Sequence, residues 1–254
     1  MTSRRAATTG RGAVITGAGR GLGRALALEL GRRGWRLGLV ARSPDELRAT
    51  VEEARAAGGQ AWAIPADVGD PLPGAARGVA SAAQAVVGPV DLVVHAAGTL
   101  GASPLAPLHD TEPDELERAL QVNLLGPFRL TPALLGPMLA RGAGTVVFVS
   151  SDAALEAYPE WGAYSASKAG LEQLGRVWAR ELEGTGVRLL TVDPGEMDTR
   201  LHAEAVPDAD RAALLDPARV ARWLARLLLA PAGPASGERL VAPAERLRRP
   251  RVSA

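Results

Sequence analysis

The sequence predicts an α/β fold: a single doubly wound domain whose mostly parallel, seven-stranded sheet carries helices on both faces. Three observations lead to it. Short β-rich runs alternate with longer amphipathic stretches along nearly the whole chain, the pattern of strands joined by crossover helices. Several runs, among them LVVHAA and VVFVS, are apolar at successive positions, which suits strands covered on both faces. The 254 residues can bury one large core without dividing in two.

In chain order, the strands expected are AVIT at 13–16, RLGLVA at 36–41, QAWAIP at 60–65, VDLVVHA at 90–96, TVVFVS at 145–150, VRLLTV at 187–192 and a weaker ERLVA at 238–242. Helices are expected between them at 21–33, 44–57, 71–87, 112–140, 163–183 and 217–229. Pro127, Pro132 and Pro137 must kink, end or interrupt the fourth. Residues 195–216 are the longest stretch without a clear strand and are read as a mobile substrate loop. The domain is expected to span 12–243, after a disordered lead at 1–11 and before a basic tail at 244–254.

Composition excludes several classes of function. The formal charge is +1, which offers no global field for nucleic acid or an anionic membrane. There is no cysteine, hence no disulfide framework and no thiolate chemistry. The three histidines, His95, His109 and His202, form no close ligand pair, so no metal site is expected. The start of the chain lacks a signal-length apolar stretch and no run approaches a membrane span, so a cytoplasmic protein is expected. Lys168 is the only lysine among 29 basic residues, and Asn123 is the only asparagine.

The first strand runs directly into Thr16, Gly17, Ala18, Gly19, Arg20, Gly21, Leu22 and Gly23, with Leu22, Leu26 and Leu30 at helical spacing. Glycines there let the backbone approach a pyrophosphate, whose charge meets the free N–H groups of the helix start. A strand before and a helix after separate this motif from the chance glycine clusters of a glycine-rich chain. Where an acidic residue at the end of the second strand would bind the ribose 2′-hydroxyl of NAD stand Ala41 and Arg42. Nothing there repels a 2′-phosphate, and Arg42 and Arg20 can pair with it. NADP is therefore expected, with NAD possible; a plainly solvated arginine is the competing reading.

Tyr164 and Lys168 stand four residues apart at the start of a predicted helix, on one face. A phenol titrates too high to serve as a base at neutral pH, and a neighbouring ammonium with an oxidised nicotinamide is expected to pull it down. A core tyrosine beside a solvated lysine is the bland alternative. Against it, the only lysine of an arginine-rich chain stands here, where a compact ammonium differs from a guanidinium. Ser151, thirteen residues earlier and just past a strand, can donate to a substrate carbonyl or merely cap a loop.

With these motifs in place the chain resembles the short-chain dehydrogenase/reductase family, over nearly its whole length from Ala13 to about Ala242. The matching positions are Thr16-Gly17-x-x-x-Gly21-x-Gly23, Asp67, Ala96-Ala97-Gly98, Asn123, Ser151, Tyr164-x-x-x-Lys168 and Pro194-Gly195. The resemblance implies a Rossmann-type domain and an NADP(H)-dependent oxidoreductase exchanging hydride with a carbonyl or secondary alcohol. It implies Tyr164 as acid/base, Ser151 as the group orienting the substrate, Lys168 on the nicotinamide ribose and Asn123 anchoring a relay water. It also implies Asp67 at the adenine, with Val68 beside it, and Ala97, Gly98, Pro194, Gly195, Met197 and Thr199 along the cofactor. A homo-dimer or homo-tetramer follows from the same resemblance.

Two positions depart from the family pattern. His95 stands where the family usually has asparagine and is read as a core histidine. The C-terminal run SGERLVAP lacks the usual Gly-Gly, which puts a C-terminal contribution to substrate binding or assembly in doubt. A catalytically idle NADP-binding sensor or scaffold module is the alternative function, opposed by the intact Ser151, Tyr164, Lys168 and Asn123. A sugar-nucleotide enzyme of the extended type would need a longer chain and a glycine where Arg20 stands. Leu155, Tyr158, Trp161, Met197, Leu201 and His202 suggest a largely apolar pocket with Arg200 as an available clamp, leaving ketone, aldehyde, sugar, steroid and acyl thioester open.

Overall fold

The computed structural model describes residues 10–230 and 233–247. Its sheet holds β1 (Gly12–Thr16), β2 (Arg36–Ala41), β3 (Gln60–Pro65), β4 (Leu92–His95), β5 (Gly144–Val149), β6 (Val187–Asp193) and β7 (Arg239–Val241). The order is β3-β2-β1-β4-β5-β6-β7, and every pairing is parallel, where a mostly parallel sheet was expected. Residues on alternate sides of each strand enter different cores. Ala13 and Ile15 of β1 join Leu37, Leu39, Leu190 and Val192 beneath α1 (Gly21–Gly31), α2 (Pro44–Ala56) and α8 (Pro217–Leu229). Val14 joins Val93, Val146 and Phe148 on the opposite face, against α3 (Ala75–Val87), α5 (Gly126–Arg141) and α6 (Gly162–Glu181). Burying each large apolar side chain contributes about 1.5–3 kcal/mol, and a sheet with two apolar faces needs helices on both.

β1 pairs with both β2 and β4, so the chain reverses its direction of growth there and opens a crevice at the carboxyl ends of the strands. Local sequence sets the ends of the helices around that crevice. Ser43 caps α2 by accepting from Glu46 N–H, with Pro44 in the first turn. The third helix starts at Ala75 instead of 71, because Gly74 takes the left-handed conformation (φ 93°) that an ordinary helix cannot continue through.

The expected long helix at 112–140 is α4 (Pro113–Leu120), a π-helical turn (Gln121–Leu125) and α5. Gly126 N–H reaches back five residues to the Gln121 carbonyl, and Pro127, with no N–H to give, follows at once. Pro132 and Pro137 lie inside α5 without ending it.

The stretch at 195–216, read as a mobile loop, contains α7 (Arg200–Ala205) and folds back on itself. Met197 bridges Leu215, and Leu215 N–H donates to the Glu196 carbonyl at 2.8 Å. Of the expected lead, Arg11 is already tied in, its carbonyl accepting from Arg36 N–H at 3.0 Å; positions 1–9 lie outside the described residues. Of the expected basic tail, residues 244–247 form α9 (Ala244–Leu247), and Arg248, Arg249 and Arg251 lie outside the described residues. Among the described residues no helix is long and apolar enough to cross a membrane, and no group of three potential metal ligands occurs.

Candidate active site

A cleft of about 810 Å³ opens at the carboxyl edge of the sheet. The β1–α1 loop gives it Gly17, Gly19, Arg20, Gly21 and Leu22, and the end of β2 gives Ala41 and Arg42. Asp67 and Val68 follow β3; Ala96, Ala97 and Gly98 follow β4; Pro194, Gly195, Met197 and Thr199 follow β6. Three expected site residues stand behind this wall. The Thr16 hydroxyl accepts from Ala97 N–H at 3.2 Å, joining the ends of β1 and β4. Gly23 lets α1 pass the Gly17 carbonyl, which a β-carbon would strike. Asn123 is buried beneath Gly98 and Thr99.

The loop fits a dinucleotide pyrophosphate. Gly17 has φ +67°, and a β-carbon on it would lie 2.7 Å from the Ala96 carbonyl, so backbone packs directly on backbone under the cleft floor. Arg20 pairs with Glu46 at 3.6 Å, whereas Arg42 is exposed at the cleft wall and acts on Asp67 through its charge. Burial alone would raise the Asp67 carboxyl. The Arg118 guanidinium at 2.8 Å, the Gly69 N–H and the Arg42 charge outweigh it and hold the carboxyl below its ordinary value. Arg118, which fixes Asp67 from α4, carries no local sequence signal for that task.

Tyr164, Lys168 and Ser151 meet in this cleft. The two residues on the first turns of α6 share a face, with the Lys168 Nζ 5.5 Å from the centre of the Tyr164 ring and donating to the Val149 carbonyl at 2.8 Å. Burial lowers the Lys168 ammonium to about 8, against the upward pull of Glu172. Burial also raises the Tyr164 phenol above its ordinary value. The Ser151 hydroxyl beside it works against that rise, and the Asp193 and Asp152 carboxylates add to it. Removal from water is the largest influence on the phenol; the lowering expected from Lys168 together with an oxidised nicotinamide concerns the cofactor-bound site. Ser151 Oγ donates to Asp152 Oδ1 at 2.9 Å and accepts from Ala153 N–H at 3.2 Å.

Asn123 is held by the π-helical turn. Its Nδ2 donates to the Thr99 carbonyl and to Ser167 Oγ, both at 2.8 Å, and its Oδ1 accepts from Thr99 N–H at 2.9 Å. The Ser167 hydroxyl in turn donates to the Tyr164 carbonyl at 2.6 Å. His95, by contrast, is a core residue: Nε2 lies 3.0 Å from the Thr131 hydroxyl, the ring packs on Phe148, and burial lowers it to about 3.

A second buried network lies behind Ser151. Arg239 on β7 donates from Nε to Glu172 at 2.9 Å, and from a terminal nitrogen to Asp193 at 3.1 Å and to the Ser151 carbonyl at 3.2 Å. Glu172 also accepts from Ser150 Oγ at 2.7 Å, and Asp193 Oδ1 accepts from Gly195 N–H at 2.9 Å. One guanidinium thus joins the ends of β5 and β6 to the helix that carries Lys168. Sequence reasoning missed Glu172, Asp193 and Arg239, which are brought together only by the pairing of β6 with β7. Along the rest of the cleft Tyr158, Trp161, Leu201 and His202 line the wall together with Asp152 and Glu196. Leu155 is 60% exposed, and Arg200 gives its Nε to Glu204 at 2.7 Å.

Known proteins resemble this chain in sequence and fold. The family model described as short chain dehydrogenase matches residues 11–210. Glycine betaine reductase ATRR of Emericella nidulans is 36% identical over 92% of this chain, which spans only 19% of that longer protein. The short chain dehydrogenase MYCFIDRAFT_6125 of Pseudocercospora fijiensis is 34% identical over 83% of this chain and 68% of its own length. Among solved structures, a metagenomic short-chain oxidoreductase in complex with NADP superposes with a TM-score of 0.77 at 32% identity, covering 92% of this chain and 96% of that one. An alcohol dehydrogenase from the archaeon Thermococcus sibiricus, complexed with 5-hydroxy-NADP, gives 0.81 at 29% identity, with 94% and 98% covered. With its all-parallel seven-stranded sheet, its glycine-lined cleft and a family match over most of its length, this chain belongs to the short-chain dehydrogenase family of oxidoreductases.

Proposed function

We propose that this protein is an NADP(H)-dependent reductase of a small carbonyl compound, with Tyr164 as the proton donor. The observation that carries the reading is the burial of Tyr164 and Lys168 side by side on the wall of the glycine-lined cleft. When bound, the nicotinamide cofactor supplies the hydride. Gly17, Gly19 and Gly21 would hold its pyrophosphate and Asp67 its adenine. The exposed Arg42 would pair with a 2′-phosphate where the family's NAD-selective acid is missing. NADP in one similar structure and 5-hydroxy-NADP in another favour the same cofactor.

The Tyr164 phenol, kept protonated by burial, gives its proton to the substrate oxygen as that oxygen gains charge. Ser151 Oγ turns from Asp152 to donate to the same oxygen. Lys168 stabilises the phenolate left behind, at a distance where a buried ammonium is effective. Asn123 holds Thr99 and Ser167 in place under the site. In the reverse direction the phenolate takes the proton from a secondary alcohol.

The test is fluorescence titration with NADPH and NADH, followed by a panel of ketones and aldehydes assayed on wild type and Tyr164→Phe. The expected result is tighter binding of NADPH, and turnover that falls at least about hundredfold in the variant with NADPH binding kept. Failure to bind either cofactor overturns the reading. Cofactor binding without turnover on the whole panel would instead favour an idle NADP-binding module.

A further inference from the structure

Beyond the reacting groups, the cleft contains a buried side chain whose hydrogen-bonding capacity no described residue uses. His202 lines the cleft from α7 with its side chain 12% exposed, and both ring nitrogens are buried without a hydrogen-bond partner. Buried polar atoms are almost always paired, so an orphaned imidazole in a binding cleft calls for a partner from outside the chain. α7 is fixed close to the chemistry: Leu201 and Ala205 pack with Trp161 against the cluster of Leu100, Ala153 and Tyr164. Thr199 Oγ1 accepts from the His202 N–H at 3.3 Å, which anchors the start of the helix.

The surroundings decide what the ring would recognise. Glu196 Oε1 lies 3.7 Å from Nε2, too far for a hydrogen bond; in the neutral ring with its hydrogen on the nitrogen that faces this carboxylate, Nδ1 is the acceptor. Asp152, the other acid here, accepts from Ser151 at one oxygen and from the Tyr158 hydroxyl, at 2.9 Å, at the other. Tyr158 is raised above its ordinary value first by Asp152, and Glu196 adds to the effect, so both carboxylates act on this wall. Arg200, the cation beside them, is bonded to Glu204. An acceptor set among carboxylates suits a donor group and repels an anion.

We infer that His202 is the specificity-determining residue of the substrate end: its Nδ1 accepts a hydrogen bond from a hydroxyl or ammonium group carried next to the reacting carbonyl. The substrate class is then a hydroxy- or amino-carbonyl compound, neither a plain ketone nor a carboxylate. The inference rests on the reductase reading for its chemistry, though not for its binding.

The test uses NADPH-loaded protein and probes of matched size: hydroxyacetone, aminoacetone and 2-butanone, with pyruvate as the anion. Two readouts are kept apart. The first is kcat/KM, expected to favour one or both donor-bearing probes over 2-butanone by about tenfold, the value of one well-placed hydrogen bond. His202→Leu should shrink that preference to within about twofold, and His202→Gln, which keeps an acceptor, should restore part of it. The second is the Cε1–H signal of labelled histidine, readable because the chain has three histidines. The His202 signal, identified by its loss in His202→Leu, should move with the donor-bearing probes and stay with 2-butanone.

Hydroxyacetone and aminoacetone compared with each other tell which donor is preferred. Equal kcat/KM for the matched probes, or a His202→Leu variant that slows all of them alike, would overturn the assignment. A signal that moves selectively without turnover of any probe would sink the reductase reading and leave the His202 contact standing. A signal that no donor-bearing probe moves would sink the contact itself.

Discussion

The lone lysine of the chain is held at a cost. Burial lowers Lys168 to about 8 from an ordinary 10.5, so keeping it charged at neutral pH costs the folded state about 3 kcal/mol. That cost is present in full below pH 8. As pH rises from 8 toward 10.5 the folded protein gives up the proton while the unfolded chain retains it, and stability rises across that window. Two outcomes are expected. The kcat/KM for reduction should decline as pH passes about 8, because the neutral amine no longer stabilises the phenolate. Lys168→Met should abolish turnover yet melt at or above the wild-type temperature at pH 7, with the difference narrowing as the pH is raised; a lower melting temperature at pH 7 would contradict the assignment. At this scale the sequence was most informative: Tyr164, Lys168 and Ser151 meet where their spacing placed them. The direction of the Tyr164 shift was not legible, since it depends on burial that spacing does not report.

Among elements, the π-helical turn at Gln121–Leu125 has the greatest effect on the site. It adds a residue to the turn, so that Asn123 reaches Thr99 and Ser167 while α4 packs against α6 and α5 against the sheet. Deleting Leu124 should restore ordinary helical spacing and swing Asn123 by about 100°. Turnover should drop about hundredfold or more, as it does when catalytic groups are misplaced by an ångström, and NADPH binding measured by fluorescence should remain. Unchanged turnover would mean that Asn123 has no positioning role. Three prolines at 127, 132 and 137 announced a disturbance in this stretch, but its form was hidden. Pro127 lacks an N–H and so permits several irregular geometries, and packing selects among them. The short helix and the fold-back within 195–216 were not legible for a related reason: the segment's contacts with itself and with Trp161 are not periodic, and pattern reading registers only periodic contacts.

For the molecule as a whole, the outer faces of α5 and α6 hold an apolar surface that a single copy leaves in water. Phe128 is 47% exposed and stacks on Trp178 at 5.8 Å, and Val177 of α6 is 44% exposed. The resemblance implies a homo-dimer or homo-tetramer, and burying aromatic surface is a main driving force for such contacts. Light scattering should report a dimer or a larger closed assembly, and Phe128→Glu should shift it toward monomer without unfolding. A monomeric wild type would refute this. The doubly wound architecture itself was legible from alternation and apolar runs, because two buried faces impose both patterns at once.

The guanidinium of Arg239 also sets an order in time. It sits 88 residues beyond Ser151, on the last strand of the sheet, yet it secures the carbonyl of that serine together with Glu172 and Asp193. A nascent chain halted before that point has translated its glycine loop, its tyrosine and its lysine but not the residue that locks their supports together. A chain cut before position 239 therefore lacks the guanidinium that ties the ends of β5 and β6 to α6.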